Sequence, residues 1–479
     1  MRSHATPTSS DPLDTHQKAL AVNLDPRRYG TFAEIGAGQE VVRWFFRVGA
    51  AAGTIAKSIS AYDMAVSDAI YGRTQRYVCR ARLESMLSYE HQLNLERLRE
   101  ARGDTTAFFT FADTVAAKSF KGTNECHGWL GVRFQAHPRD QDSQIILHVR
   151  MLDNENALQQ EALGVVGVNL LYGAFFMHHD PDRLIESLLD NLSTKRIEID
   201  LIEFSGIEFR HVDNRVMALR LVQLGLSGAA LFDPKGEVLQ PSEVLYKRPV
   251  LIERGAFVPV TRVHIDMLRC AHEEFTRAVG PDENIVELME ITMRNLLESG
   301  KGDVDYRDFL ARADVLAAAG KTVLISDYSE YYRLTGYLRR YTQKPVAIVL
   351  GAGSLTPLFD EKYYGDLDGG ILECFGRLFK NDTKLYVYPL LDSKEGTLTT
   401  ASNFEPPAEL AKLYGYLVDR RYIVELQGFE RECLRIFSRD VLELIQSGDP
   451  SWQEAVPGEI ADMIKKRGFF GYRRANTAG

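Results

Sequence analysis

The sequence predicts an α/β protein in two parts: an N-terminal α+β domain built on a small mixed sheet, then a doubly wound, mostly parallel α/β domain. Three observations carry this reading. The length of 479 residues exceeds the roughly 250–300 at which one hydrophobic core stops growing. β-rich segments cluster between residues 106 and 152 around a polar turn. From residue 303 strands and helices alternate, the pattern of a parallel sheet with right-handed crossovers. The expected divisions are a flexible tail over 1–27, the α+β domain with an anion site over 28–280, and a Rossmann-like domain with C-terminal helices over 281–479.

Taken in order, residues 33–48 (AEIGAGQEVVRWFFRV), 61–71 and 76–102 show helical spacing, the last ending at Gly103. Residues 106–113, 128–137 and 143–152 are β-formers, and PRDQD between the last two predicts an antiparallel hairpin. The apolar run Leu163 to Met177 contains Gly164, Gly167, Asn169 and Gly173, too short and interrupted to span a bilayer, and reads as part of a buried helix over 155–177. A shorter helix follows at 181–191. Segments 196–204, 213–226 and 228–232 read as strand, helix and strand, a βαβ unit. Residues 246–254 add a strand, 262–278 a helix, and 284–299 a helix in which VELMEITM is equally a strand. Beyond 303 come helix 303–319, strand 322–326, helix 329–341, strand 345–351, helix 369–380, strand 384–390, and closing helices at 406–420, 428–447 and 458–467.

Composition narrows the function. Apolar residues are 45% and charged residues 26%, as in ordinary globular proteins. The formal charge of -9 disfavours duplex nucleic acid, whose phosphates demand clustered cations. Five widely spaced cysteines without a CxxC pair fit a reducing compartment, and the polar first 25 residues lack the apolar core of a signal peptide. The expectation is a cytoplasmic protein with a small anionic substrate, no membrane partner and a homo-oligomeric assembly.

The densest chemistry lies in ADTVAAKSFKGTNECHGWLGVRFQ (112–135) and the strand after it. Asp113, Lys118, Lys121, His127, Arg133 and Gln135 are joined there by His148 and Arg150, and alternation puts His148 and Arg150 on one face. Cations with a histidine suit a phosphorylated or carboxylate substrate, Arg as a bidentate clamp and His or Asp113 as acid or base. The alternative is a solvated sheet face with a satisfied histidine. Upstream, Lys57 stands in AKSISAYDMAVSDAIYG (56–72), a composition suited to helix capping and to anion contacts. After the strand at 345–351, Gly351, Gly353 and Ser354 form a strand-to-helix turn whose backbone N–H groups can converge on a phosphate. Asp366 and Asp368 could hold magnesium beside a nucleotide there, although acidic turns are common. GAGQE at 36–40 lacks a strand before it and so the context of a dinucleotide fingerprint. GKT at 320–322 fails as a P-loop because Val315 stands where glycine is required. No ligand spacing for a metal site is found.

The segments RYGTFAEIGAGQEVVRWFFRVG, SAYDMAVSDAIYG, NECHGWLGVRFQ, LQPSEVLYKRPVLIERG and LDGGILECFGRLFKND resemble a bacterial family of cytosolic proteins of about this length, over residues 28 to 473. Its members carry two labels, nicotinate-nucleotide adenylyltransferase and TonB-dependent receptor. The first implies a GxFDPxHxGH motif; only Phe232, Asp233 and Pro234 match, with no histidine following. Its SxTxxR motif is echoed by Ser354 and Thr356 but meets Phe359 in place of arginine. The second implies an export signal and a long barrel of alternating strands, which this α-rich sequence lacks.

The resulting expectation is a cytosolic enzyme, of transferase type, acting on a small phosphorylated or nucleotide-like substrate. Lys57, Lys118, Lys121, Arg133, Gln135 and Arg150 bind it; His127, His148 and Asp113 are the candidate catalytic groups; Gly351, Gly353 and Ser354 form a cofactor loop for a nucleotide with magnesium. The alternative is a non-catalytic homo-oligomeric scaffold.

Overall fold

The computed structural model describes residues 12–119, 122, 125–299, 302–392 and 396–473. The chain is α/β and divides into two compact units, Met1–Ser227 and Gly228–Gly479.

The first unit is built on a six-stranded mixed sheet: β1 (Arg28–Gly36), β2 (Ile55–Ile59), β3 (Ala107–Ala116), β4 (His127–Gln135), β5 (Asp142–Met151) and β6 (Ile197–Gly206), in the order β2-β1-β3-β4-β5-β6. β1 runs parallel to β2 and β3, whereas β3 through β6 are antiparallel. One face carries Phe32, Phe109, Phe111, Leu130, Val132, Leu147, Val149 and Ile199 into the main core. That core is closed by α1 (Thr15–Asn23), α2 (Val41–Arg47) and the apolar α5 (Asn156–Phe176), with α6 (Pro181–Ser187) and α7 (Asn214–Gln223) behind it. α3 (Met64–Tyr71) packs on α4 (Arg80–Arg102), which crosses the opposite face over β1, β3 and β4.

The second unit holds β7 (Ala229–Phe232), β8 (Val238–Leu239), β9 (Val250–Arg254), β10 (Val286–Thr292), β11 (Thr322–Ser326), β12 (Val346–Gly351) and β13 (Thr383–Tyr388). A ribbon of β14 (Leu390–Leu391) with β15 (Leu398–Thr399) precedes β16 (Ile423–Glu425). The main sheet runs β16-β13-β12-β9-β10-β11-β7-β8, parallel from β16 to β11 and antiparallel at β7 and β8. Counting β9 through β13 and β16 as first to sixth gives the order 3-2-1-4-5-6, the doubly wound arrangement of dinucleotide-binding folds.

Four expectations are corrected. The boundary lies at Ser227, because β7 and β9 pair with β11 and β10 of the second sheet. For the same reason 196–232 is no βαβ unit: β6 closes the first sheet and β7 belongs to the second. Of the expected tail, residues 1–11 lie outside the described residues, whereas Thr15–Asn23 form α1, whose Lys18 is 1% exposed with its Nζ on Asp190 (2.6 Å) and Asn169 (2.9 Å). Residues 33–36, expected to open a helix over 33–48, are instead the end of strand β1. β1 is covered on both faces, so its sequence lacks the alternation that marks a half-buried strand. GAGQE therefore does sit between a strand and a helix. Over 284–299 the strand alternative holds for Val286–Thr292, and helix follows at Met293–Ser299.

Candidate functional site

β4 and β5 send apolar side chains to the core from one set of alternate positions, and the other set mixes His127, Arg133, His148 and Arg150 with buried Trp129 and Ile146. Cross-strand register aligns His127 of β4 with Arg150 of β5 and Glu198 of β6, and Trp129 with His148. Between His148 and Val149 the β5–β6 register slips by one residue: His148 faces Leu201 while Val149 faces Ile199. Asp200 is thus the extra residue of a bulge, the device by which a strand re-aims one side chain.

The result is a chain of three polar groups. Asp200 Oδ1 lies 2.5 Å from His148 Nδ1, and His148 Nε2 lies 3.0 Å from His127 Nδ1. His148 and Asp200 are each 1% exposed and the Trp129 ring packs on His148 at 4.8 Å, so the inner pair is shielded from water. His127 is half-buried. Burial, then the neighbouring charge of His148, pushes its pKa down to about 4, against the opposing pull of Asp200. His127 is therefore neutral at physiological pH. His148 thus bridges the carboxylate and the outer ring, one ring nitrogen to each, and its tautomer sets which atom of each bond donates. Arg150 is bound to Glu198 (2.8 Å) and approaches Glu125 (3.7 Å), which balances its charge beside the rings.

These groups sit on the same sheet edge as the C-terminal ends of β1 and β3. There a cleft of about 630 Å³ is lined by Gly36, Gln39, Glu40, Tyr62, Lys118 and Asn156, among others. Ala116, also in its lining, is the cross-strand partner of His127. Lys118 is held at the start of α5: its backbone N–H donates to Gln159 Oε1 and its Nζ to the Asn154 carbonyl, both at 2.8 Å. It has no carboxylate partner among the described residues, so its charge is available to an anion.

The other candidates lie elsewhere. Arg133 is six residues along β4 from His127, about 20 Å at strand rise. It binds Asp142 and Ser88, and with His91 lines a separate 550 Å³ cleft beside α4. Gln135 is structural, accepting from the Phe108 N–H and donating to the Asp140 carbonyl. Lys57 is ion-paired with Glu90, a buried residue of α4 that also accepts from Tyr71. Asp113 is fully buried on the opposite face of the sheet, away from the histidines. Lys121 lies outside the described residues. In the second unit Gly351, Gly353 and Ser354 form the turn after β12, the strand beside β9 at which the winding order reverses. Asp366 and Asp368 are exposed in a turn, and no cluster of three or more His, Cys, Asp or Glu able to hold a metal occurs among the described residues. Asp200 and Glu34 were not singled out by sequence reasoning, and Gly38 was weighed only within GAGQE. The one signal for Asp200 was an acid within an apolar strand, RIEIDLIEF.

Fold and edge geometry thus define the first unit as a mixed α/β module with a carboxylate–histidine–histidine chain and, one strand away at Ala116, a cleft whose lining includes none of the three. No described helix is long and apolar enough to cross a membrane. No family model and no curated protein matches the chain. Among solved structures, it is similar to the competence/damage inducible protein CihA from Agrobacterium tumefaciens, at 14% identity, covering 34% of this chain and 97% of that one with a TM-score of 0.25. Proteins of the competence-damaged protein (CinA) superfamily from Klebsiella pneumoniae and Enterobacter cloacae match at 12% and 13% identity, covering 33% and 36% of this chain, 96% and 99% of theirs, each with a TM-score of 0.26. At those scores the likenesses carry no argument about fold or activity, and they bear on neither label of the family the sequence resembles.

Proposed function

We propose that the first unit is an acid–base enzyme of transferase type acting on a small phosphorylated or nucleotide-like substrate. The observation that carries this is the Asp200–His148–His127 chain, a buried carboxylate behind two hydrogen-bonded rings. Histidine general acid–base work needs a ring poised to exchange a proton and a second group to hold its tautomer. Here His127 is the outer group and the His148–Asp200 pair orients it. Lys118 at the neighbouring cleft supplies the positive charge for the anion. Arg133, Gln135 and Lys57 take no part in this reading, since each is bound into a structural contact of its own.

A melting screen across inorganic phosphate, nucleotides, sugar phosphates and pyridine compounds tests it. The wild type should be stabilised by at least one phosphorylated compound, with the shift reduced in Lys118→Ala. With that compound, His127→Gln should retain the shift and lose turnover. Absence of any shift in the wild type, or full turnover in His127→Gln, overturns the reading; the first outcome combined with a stable oligomer favours the scaffold.

A further inference from the structure

Beneath the Gly36–Glu40 turn, which walls the cleft, two acids face each other on adjacent parallel strands. Glu34 of β1 and Asp113 of β3 are register partners, 2% and 0% exposed. The role of Glu34 is visible in its bonds, since its two carboxylate oxygens accept from the backbone N–H groups of Val41 (3.0 Å) and Val42 (3.2 Å), fastening the first turn of α2 to the sheet. Asp113 makes no bonds of that kind. Neither of its oxygens has a hydrogen-bond partner of normal geometry among the described residues, and a Cβ added to Gly38 would overlap its Oδ1, so the backbone of the turn rests directly on the carboxyl.

Among the described residues no cation bonds to either acid. Glu34 faces Asp113 from β1, and Leu130 stands opposite it on β4. From the turn and α2 the nearest charges are Glu40 and Arg43, bonded to one another at 2.8 Å. α5 brings Gly164 and Gly167 against Glu40 and Val41. Burial drives both acids upward, and each is pushed further by a neighbouring acid: Asp113 by Glu34, and Glu34 by Glu40. The Ile35 N–H opposes this weakly at Asp113, and those of Val41 and Val42 oppose it at Glu34, which reaches about 8.

We infer that Asp113 is a positioning residue: kept protonated under Gly38, it lets the Gly36–Glu40 turn lie flat on the sheet, and its ionisation lifts the turn and the start of α2. Glu34 caps the first turn of α2 through its two acceptor oxygens, and Asp113 is the floor of the turn. Two adjacent ionised carboxyls without a counter-ion repel one another and demand water, and the movable element above them is the turn. The cleft wall is thereby sensitive to alkaline pH. The cleft is the one in the proposed function, yet amide exchange needs no ligand and no turnover, so either reading can fail alone.

Backbone amide exchange of the full-length protein, read by mass spectrometry and corrected for intrinsic rates, tests it between about pH 6 and pH 9. Above the apparent pKa the protonated fraction falls about tenfold per pH unit, so protection of the 36–47 peptide should fall by up to that slope while β4 and β5 stay protected. Asp113→Asn, neutral at every pH, should abolish the slope and keep the turn protected. A wild-type turn whose protection ignores pH, or an equal slope in Asp113→Asn, overturns the inference. Should Asp113→Asn fail to fold, infrared difference spectra of Glu34→Gln beside the wild type decide: a carbonyl band of a buried protonated carboxyl should survive in Glu34→Gln and fade over the pH range in which the turn opens, and a native Glu34→Gln protein without that band at neutral pH refutes it.

Discussion

Gly38 lies directly over the carboxyl of Asp113, close enough that no side chain fits between them. The glycine is thus required by steric space. Gly38→Ala should destabilise the first unit by about 1–3 kcal/mol, as overpacking of a tight interior does. Chemical denaturation measures it, and the double variant with Asp113→Gly should recover part of the loss.

His127 sets a second expectation. Its folded-state pKa of about 4 lies below the ordinary 6.5. The unfolded chain therefore binds a proton at His127 before the folded chain does. Its contribution is fully present above about pH 6.5 and is lost as the pH falls toward 4, by up to about 3 kcal/mol for a shift of this size. Denaturant midpoints at pH 7 and pH 5 should differ less in His127→Gln than in the wild type.

The inner pair is structural as well as chemical. Removing one partner of a buried hydrogen-bonded pair typically costs about 1–3 kcal/mol, since the other is left unsatisfied. Asp200→Ala should lower stability on that scale, while Asp200→Asn, which keeps the shape, should cost less and still disturb the pH profile of any turnover. Equal stabilities for wild type and Asp200→Ala would show the pair to be unimportant.

The second unit has its own buried pair. Arg254, at the end of β9, binds Glu290 through two bonds of 2.8 and 2.9 Å, stacks on Tyr331 at 4.5 Å and donates to the Tyr328 and Ser329 carbonyls. Ser326 also donates to Glu290, which is fully buried. Arg254→Ala should destabilise that unit by about 3–5 kcal/mol, and Glu290→Gln by less, because the amide keeps hydrogen-bonding capacity. Calorimetry of the full chain checks both.

The parts of this protein legible in the sequence are those whose signal is local. The hairpin of β4 and β5 shows as alternation around PRDQD, and the strands from β11 onward show as short apolar runs between helices. β1 did not, because burial on both faces erased its period and left Ala33, Ile35, Val41 and Val42 at spacings that read as helical. The site divides in the same way. His127, His148 and Arg150 stood out as polar residues on core strands, and register does gather them. Arg133 was grouped with them by sequence distance although it belongs to another cleft, and Lys57 looked free because its partner Glu90 comes from a helix more than thirty residues away. Asp200 was missed for a deeper reason: its aim depends on a bulge, whose trace in the sequence is the break of alternation between Ile199 and Ile202.

That bulge has a consequence for how the strand can change. Ile197 and Ile199 point into the core, as do Ile202 and Phe204, yet the two pairs are an odd number of positions apart. Only the surplus residue reconciles them. Shortening β6 by one residue would turn the second half inside out, exposing Ile202 and Phe204 and driving Glu203 inward, away from its partner Arg80. The acid behind the histidines and the oily seam beneath them are therefore inherited together: a lineage that trims this strand forfeits both at a stroke.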